Sequence, residues 1–186
     1  DRQVIKSDNA NGFQIGDGNP DGAYPNEGYY DDFRIYDKAL SATEISNLYN
    51  NNSLVPAIPI DDNTNLVALY KFNDNMTDSS GNGNDLTESS TIPFILSGLI
   101  NESIDLSSSS FLTSDSVSMT NKTFSISFWA KFNTAPSVSH QFFFSQGTEN
   151  SSGKNLTFKC QSDKLRFSFW GSGNDIDTSG YDMTTF

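Results

Sequence analysis

The residues best suited to chemistry lie in one loop, residues 74–85, which is dense in Asp, Asn, Ser and Gly. Carboxylate and amide side chains supply oxygen atoms, and glycines let backbone carbonyl groups turn inward, so such a loop can surround a hard cation such as calcium. The same residue types also form tight turns in which Asx side chains accept hydrogen bonds from nearby backbone. The sequence therefore indicates either a calcium site or a self-capped turn, and we favour calcium.

A second acidic segment opens like a calcium-hand loop. Asp17, Asn19, Asp21 and Gly22 match its first positions, but Gly28 stands where a bidentate glutamate should close the cage. We expect a surface turn here rather than a cation site.

Two tryptophans are candidates for ligand contact. Trp129 and Trp170 each fall in an alternating stretch in which phenylalanines take the opposite face. Carbohydrate binding needs an aromatic plate beside polar groups that reach the hydroxyls. Both residues are therefore candidate glycan-binding residues, and burial under a neighbouring helix, loop or domain is the alternative.

Catalytic residues are harder to find. Glycoside hydrolysis needs two carboxylates that flank the scissile bond, and no clustered acidic run contains any of the glutamates, which are Glu27, Glu44, Glu88, Glu102 and Glu149. The single histidine, His140, has no evident triad partner in the sequence. We expect a protein that is not an enzyme.

The elements that must position these residues follow mainly a period of two, which is typical of strands with one buried face. Residues 124–132 and 165–169 alternate aromatic or aliphatic side chains with polar ones. Phe33 and Ile35 share the predicted core face of a strand over residues 29–36, and a shorter strand is predicted over residues 12–16. Residues 156–160 are expected to pair with residues 164–168 across a tight turn. Many short antiparallel strands predict an all-β sandwich.

One short helix is predicted to begin at Ser41. Ser41 and Glu44 have the spacing of a capping box, in which each side chain bonds a backbone N–H group of the other residue. Ile45, Leu48 and Tyr49 fall on one side of this helix. We expect that side to lie against a sheet edge.

Composition excludes several partners. The chain has 186 residues and a net charge of -12 with only 11 Lys and Arg, so no basic patch is available for nucleic acid. No stretch approaches the roughly 18 apolar residues of a membrane span, so we expect no membrane insertion. Cys160 is the only cysteine and follows the apolar alternation of its strand, so we expect it to pack as a small hydrophobe.

Two segments resemble the laminin G-like and concanavalin A-like lectin superfamily. Residues 28–49, which read GYYDDFRIYDKALSATEISNLY, are similar to the closing strand and helix of its jelly roll, and residues 66–85 are similar to its opening strand and loop. Residues 124–131, FSISFWAK, resemble its first long core strand. The resemblance implies an antiparallel jelly-roll sandwich with a structural calcium between the opening loop and the closing strand, bound by residues from a set that comprises Asp78, Asn82, Asn84, Asp31 and Asp32.

The order of these motifs is reversed, because the closing motif precedes the opening one, and the family's middle hairpin is missing. Either the chain carries parts of two tandem units or it is one circularly permuted unit. We expect the tandem arrangement, because a permuted sandwich without that hairpin would have a gap in one sheet. The domains would then be residues 1–52, the end of one laminin G-like unit; residues 53–65, a proline-containing linker; and residues 66–186, the first part of a second unit.

The resemblance implies an extracellular or surface-exposed, non-catalytic recognition module that binds glycans or surface glycoproteins with a structural calcium. Any signal peptide would lie outside this chain. The alternative is a structural repeat of an extracellular fibre, tail or sheath that binds neighbouring repeats or copies of itself.

Overall fold

The computed structural model describes residues 12–18, 26–51, 65–96, 98–107, 110–133, 140–147, 155–161, 164–169 and 176–178. The strands are β1 Phe13–Ile15, β2 Gly28–Tyr36, β3 Leu66–Tyr70, β4 Thr87–Glu88, β5 Phe94–Ile95, β6 Ser103–Leu106, β7 Leu112–Ser114, β8 Ser125–Phe132, β9 Gln141–Gln146, β10 Leu156–Gln161, β11 Lys164–Phe169 and β12 Ile176–Asp177; the helix is α1 Ala42–Asn51.

The strands form two antiparallel sheets that pack face to face, which confirms the predicted all-β sandwich with one short helix. The larger sheet has the order β12-β11-β10-β9-β1-β7-β4. The smaller sheet is built around β2, which pairs with β8 along one edge and with β6 and then β3 along the other. The expected pairing of residues 156–160 with residues 164–168 is confirmed, because β10 pairs with β11 in that register.

Aromatic side chains fill the space between the sheets. Phe33 of β2 stacks on Phe128 of β8 with ring centroids 5.0 Å apart, and it meets Phe13 of the larger sheet at 6.0 Å and Phe144 at 6.2 Å. Phe13 and Phe33 have no solvent exposure. This interleaving of rings from both sheets follows from the period-two alternation, because every second residue of each strand faces inward.

Both halves of the sequence contribute to the same sandwich. β2 pairs antiparallel with β3, with Phe33 opposite Tyr70, and β1 lies between β9 and β7 in the larger sheet. The expectation that the two segments belong to different sandwiches is therefore wrong for the described residues, which form one sandwich. The reason is that β2 finds partners for both edges among strands that follow it in the chain. The expected linker lies almost entirely outside the described residues, and the predicted domain boundaries stay predictions.

A loop covers the β3 edge of the smaller sheet. At the β3 edge, the Asp78 carboxylate accepts the backbone N–H of Leu69 at 2.9 Å, and the amide groups of Asn82 and Asn84 donate to the carbonyl oxygen of Val67 at 3.2 and 2.8 Å. The loop thus replaces a neighbouring strand and covers the backbone of β3, which is one way that sheets avoid unwanted pairing.

The capping box at the start of α1 is present. Glu44 Oε2 accepts the backbone N–H of Ser41 at 2.7 Å, and Ser41 Oγ accepts the backbone N–H of Glu44 at 3.3 Å. The Lys38 ammonium, followed by the Ser41 donors, lowers the pKa of Glu44 to about 2. Within the described part of the chain, no helix has the length and apolarity to cross a membrane.

The face that α1 buries is narrower than its sequence pattern predicts. Leu48 is buried with Tyr36 and Leu66, but Ile45 is 55% exposed and Tyr49 is 68% exposed. The expectation that the whole apolar side of the helix is buried against the sheet is therefore wrong: only Leu48 is buried, between β2 and β3, while Tyr49 contacts Trp129 of β8 from a largely exposed position.

We predict that Ser41→Ala lowers the free energy of unfolding by about 0.5–2 kcal/mol, because the first turn of α1 loses its side-chain acceptor. Urea denaturation of the parent and variant measures this loss. Ser41→Thr is the matched control, since it keeps the hydroxyl and should keep most of the stability. A Ser41→Ala protein as stable as the parent would contradict the contribution of the cap.

Candidate functional site

A cleft of about 310 Å³ opens on the outer face of the smaller sheet, and we call it the Trp129 cleft. Its walls come from β2, β8, the start of β6 and the segment before β6; the lining residues are Tyr29, Tyr30, Asp31, Gly98, Leu99, Ser103, Trp129, Ala130 and Lys131. It contains Trp129 and Asp31, two residues that sequence analysis singled out for different roles.

The pairing of β2 with β8 brings these residues together. Asp31 lies opposite Trp129, and Tyr29 lies opposite Lys131. On β8 the neighbours Phe128 and Ala130 pack against the core, so alternation turns Trp129 and Lys131 to the outer face. The expectation that Trp129 faces away from the phenylalanines is confirmed.

Trp129 has a partner on the outer face as well. Its ring lies 5.7 Å from that of Tyr49 on α1, tilted by 33°, and Trp129 remains half-buried. The helix therefore covers part of the indole, and the Trp129 cleft lies against the rest. Trp170, the second candidate plate, lies outside the described residues.

Asp31 is the most unusual polar group of the cleft. It is only 3% exposed, its Oδ2 accepts the backbone N–H of Ile100 at 2.7 Å, and its Oδ1 has no hydrogen-bond partner in the described structure. Burial raises the pKa of Asp31 to about 6 against the effect of the Ile100 N–H, and the nearby charge of Asp32 adds to the rise. The hydroxyl of Ser103 is likewise buried without a described partner.

Close backbone approach forms the wall beside Asp31. A Cβ atom at Gly98 would lie 2.3 Å from the carbonyl oxygen of Glu102 and 3.0 Å from Oδ2 of Asp31. Only glycine therefore lets this segment approach β2 and place the Ile100 N–H on the carboxylate.

The carboxylate of Asp32 forms a salt bridge with Arg34 on its own strand. Its two oxygens accept hydrogen bonds from Nε and Nη2 of Arg34 at 3.0 and 2.9 Å. The pairing of β2 with β8 is irregular between Asp31 and Arg34, and Asp32 has φ +48°, so the chain bulges at this point. The bulge turns Asp32 towards Arg34.

The loop of residues 74–85 is ordered around Asp78. Oδ1 of Asp78 accepts the N–H groups of Leu69 and Ser80 at 2.9 and 2.8 Å, and Oδ2 accepts the Ser80 hydroxyl and the Asn84 N–H at 2.8 and 3.0 Å. Burial acts to raise the pKa of Asp78, but these donors outweigh it, and the pKa is lowered. Asn82 also donates to the carbonyl oxygen of Leu66 at 2.7 Å.

This geometry is that of a self-capped turn. Hydrogen-bond donors face both carboxylate oxygens of Asp78, so the lone pairs that would bind a calcium ion are already used within the protein. No three Asp, Glu, His or Cys side chains form a group able to hold a metal ion within the described ranges. The candidate ligands thus have protein partners on separate elements: Asp78 with β3, Asp32 with Arg34, and Asp31 with the segment before β6. A calcium site stays a prediction.

The second acidic segment differs from its expectation where it is described. Asp17 was expected at a surface turn, but it has no solvent exposure, and its Oδ1 accepts the N–H of Gly18 at 2.7 Å. The reason is that β1, which ends two residues earlier, is a central strand whose neighbours cover the chain that leaves it. Asn19, Asp21 and Gly22 lie outside the described residues.

Sequence reasoning singled out only Trp129 and Asp31 among the residues of the Trp129 cleft; those that it missed include Tyr29, Leu99, Ser103 and Lys131. For Tyr29 and Lys131 a signal existed, since each is two residues from a candidate and so shares its strand face. For Leu99 and Ser103 none did, because only the packing of a distant segment beside β2 brings them to the cleft.

We predict that Asp31→Asn raises the melting temperature at pH 7 and that this gain shrinks to nothing as the pH falls to 4. The folded state holds the proton more tightly than the unfolded state, so stability falls as pH rises from about 4 to about 6, where the parent acquires a buried charge. Scanning calorimetry from pH 4 to pH 7 measures the difference between the two proteins.

Asp177→Asn is the control of opposite sign. The Arg166 guanidinium, at 2.7 Å, lowers the pKa of Asp177, so its removal should not stabilise the protein at pH 7. An Asp31→Asn difference that does not change between pH 4 and pH 7 would contradict the raised pKa of Asp31.

We predict that Asp78→Ala lowers the free energy of unfolding by about 2–3 kcal/mol in a chelating buffer, because four hydrogen bonds to a carboxylate are lost. Denaturation in chelator and in calcium separates two interpretations. An equal loss in both buffers identifies a self-capped turn, and a larger loss in calcium identifies a cation bound by the folded state. An unchanged stability in chelator would contradict the role of Asp78 in the loop.

Comparison of the chain with known protein families, with curated proteins and with solved structures finds no match.

Proposed function

We propose that this protein is a non-catalytic recognition module that binds a glycan in the Trp129 cleft. The observation that carries the proposal is the meeting of Trp129 and Tyr29 with Asp31 and Lys131 at one cleft on the outer face of the smaller sheet. An indole or phenol ring can pack against the apolar face of a sugar, while charged and hydroxyl groups pair with its hydroxyls.

The polar groups of the cleft suit hydroxyl donors. Asp31 has one buried carboxylate oxygen without a described hydrogen-bond partner, and the buried Ser103 hydroxyl also has no described partner. A buried acceptor without a partner lowers stability by about 1–3 kcal/mol. A sugar hydroxyl that donates to Asp31 after a small opening of the cleft would remove that loss, which gives binding a source of free energy besides ring packing.

The size of the cleft limits the ligand. Its volume of about 310 Å³ lies at the lower end of the range for small-molecule sites, about 300–1,000 Å³. We infer that it takes one terminal sugar residue rather than the middle of a long chain.

The sequence resemblance supports the same class of function. Laminin G-like and concanavalin A-like modules are extracellular recognition domains, so the resemblance of residues 28–49, 66–85 and 124–131 favours an extracellular or surface-exposed location. A structural calcium is part of that proposal, and the Asp78 experiment tests it separately.

A second candidate function is assembly with other protein chains as a structural repeat. The observation that favours it is the exposure of Ile45 and Tyr49 on α1, because adjacent apolar side chains left in solvent often mark a contact surface. If such assembly covered this face, the ring of Trp129 beside Tyr49 would be buried between chains and would not be open to a sugar.

We predict that a glycan identified on an array of terminal sugars loses at least about tenfold in affinity with Trp129→Ala, since ring packing of this kind is worth more than about 1.4 kcal/mol. Titration calorimetry with that glycan measures the change. Trp129→Phe should recover part of the affinity, because it keeps an aromatic face.

Ile176→Ala is the matched control, an exposed apolar residue on β12 of the other sheet. Circular dichroism must first establish that Trp129→Ala is folded. Absence of any glycan that binds the parent above background, or equal affinity of the parent and Trp129→Ala, would overturn the proposal.

A further inference from the structure

In the part of the chain that the structure describes, the smaller sheet ends at a strand, β8, with one unpaired edge. Within the described ranges β8 pairs only with β2, and every residue of β8 is half-buried except Lys131, which is exposed. On the opposite side of β2, the edge of β3 is covered by the Asp78 loop. The edge of β3 is therefore protected, whereas the edge of β8 is open in the described structure.

The larger sheet extends beyond this bare edge. Phe128 of β8 packs on Phe144 of β9 and Phe158 of β10, at ring distances of 6.3 and 6.2 Å, so β8 lies opposite these two strands. β11 and β12 follow β10 in the larger sheet. Phe167 of β11 is half-buried, and Ile176, which lies opposite it on β12, is 65% exposed. The inner face of β11 and β12 has no facing strand in the described structure.

A cavity of about 770 Å³ occupies this position, and we call it the β8 slot. One wall is the inner face of the sandwich at Phe158 and Phe167, and the other is the helix side chains Ile45 and Tyr49. The free edge of β8 runs between the two walls. The slot therefore offers unpaired backbone groups flanked by apolar surface on both sides.

We propose that the β8 slot accepts an extended segment of another protein, apolar on both faces over its middle and acidic at its ends, as an added strand of the smaller sheet. Backbone hydrogen bonds to β8 would supply affinity, and the two apolar walls would select the side chains. The proposal does not depend on glycan binding in the Trp129 cleft.

The sequence of β8 lacks the usual protection of an edge. Natural edge strands carry lysines, prolines, bulges or inward-pointing charges that block pairing. Residues 125–130 contain no charge and no proline, and Lys131 stands at the far end on the outer face. An added strand would meet no barrier along that length.

Charge favours an acidic partner segment. Lys122 is the one charged side chain among the described residues that line the slot, and no carboxylate joins it, although the protein carries a net charge of -12. Lys122 and Lys131 lie near opposite ends of β8. Acidic residues at both ends of the added strand would therefore be attracted, whereas basic ones would be repelled by Lys122.

A second copy of this protein fits the slot poorly. If two copies joined β8 to β8, both larger sheets would lie on the same side of the joined sheet, because the two-fold axis would be perpendicular to it. The strands β11 and β12 of each copy would then occupy the same space. Beside β8, the extension of the larger sheet by β11 and β12 leaves room for a strand or a hairpin but not for a whole sandwich.

A short synthetic peptide tests the proposal. The probe has alternating valine, threonine and phenylalanine in its middle and two glutamates at each end, and its control has a central proline, which cannot donate to a strand. We expect the probe, but not the proline control, to raise the melting temperature and to slow amide hydrogen exchange in β8. No added protection of β8 at saturating probe would overturn the proposal.

Two exposed positions provide matched variants. Ile45→Glu places a carboxylate on the rim of the slot, and Leu96→Glu makes a similar change at a residue that is 87% exposed elsewhere. We expect Ile45→Glu to weaken probe binding at least about tenfold and Leu96→Glu to leave it unchanged.

Equal binding by the two variants would overturn the proposal. Light scattering tests whether a second copy of the protein occupies the slot. A dimer of the parent that Ile45→Glu dissociates would assign the slot to a second copy and overturn the proposed partner. Because both substituted residues are exposed, both variants should fold, and hydrogen exchange of the parent tests the idea without any variant.

Discussion

The structure depends on the position of β2 at the centre of the smaller sheet. This strand is paired on both edges, and Phe33 near its middle contacts rings from β8 and from two strands of the larger sheet. Because β2 comes early in the chain and its partner strands β3, β6 and β8 come later, these pairings close long loops. The apolar burial around Phe33 must therefore offset the loss of chain entropy that loop closure costs.

The same strand also creates the candidate site. On one edge β2 changes partner from β6 to β3, and the bulge at Asp31 and Asp32 lies where the change occurs. Backbone pairing is interrupted there, so side chains and a loop must satisfy the polar groups. Asp32 does so with Arg34, and Asp31 does so in part with Ile100, which leaves one buried carboxylate oxygen beside the indole of Trp129. A polar cleft in an otherwise aromatic sandwich is the consequence of this irregularity.

β8 connects the two regions for which we propose functions. Trp129 borders both the Trp129 cleft and the β8 slot, and its contact with Tyr49 separates them. A strand added in the slot would pack against Tyr49, and the ring of Trp129 would then be held between that strand and the cleft. Recognition of a protein segment and recognition of a sugar would in that case share one side chain, so each could change the affinity for the other.

Local pattern was enough to predict the alternating strands β2, β8, β10 and β11, the hairpin between the last two, and the capping box of Ser41 and Glu44, because each depends on residues within a few positions of one another. The outward face of Trp129 followed for the same reason. Only the tertiary structure showed that residues 28–36 pair with residues 66–70 in one sheet. Backbone hydrogen bonds between distant strands do not depend on side-chain identity, so the sequence of each strand does not specify its partner. The burial of Asp31, the arrival of Leu99 and Ser103 beside it, and the exposure of Ile45 and Tyr49 depend likewise on which distant segments pack together and where the smaller sheet stops.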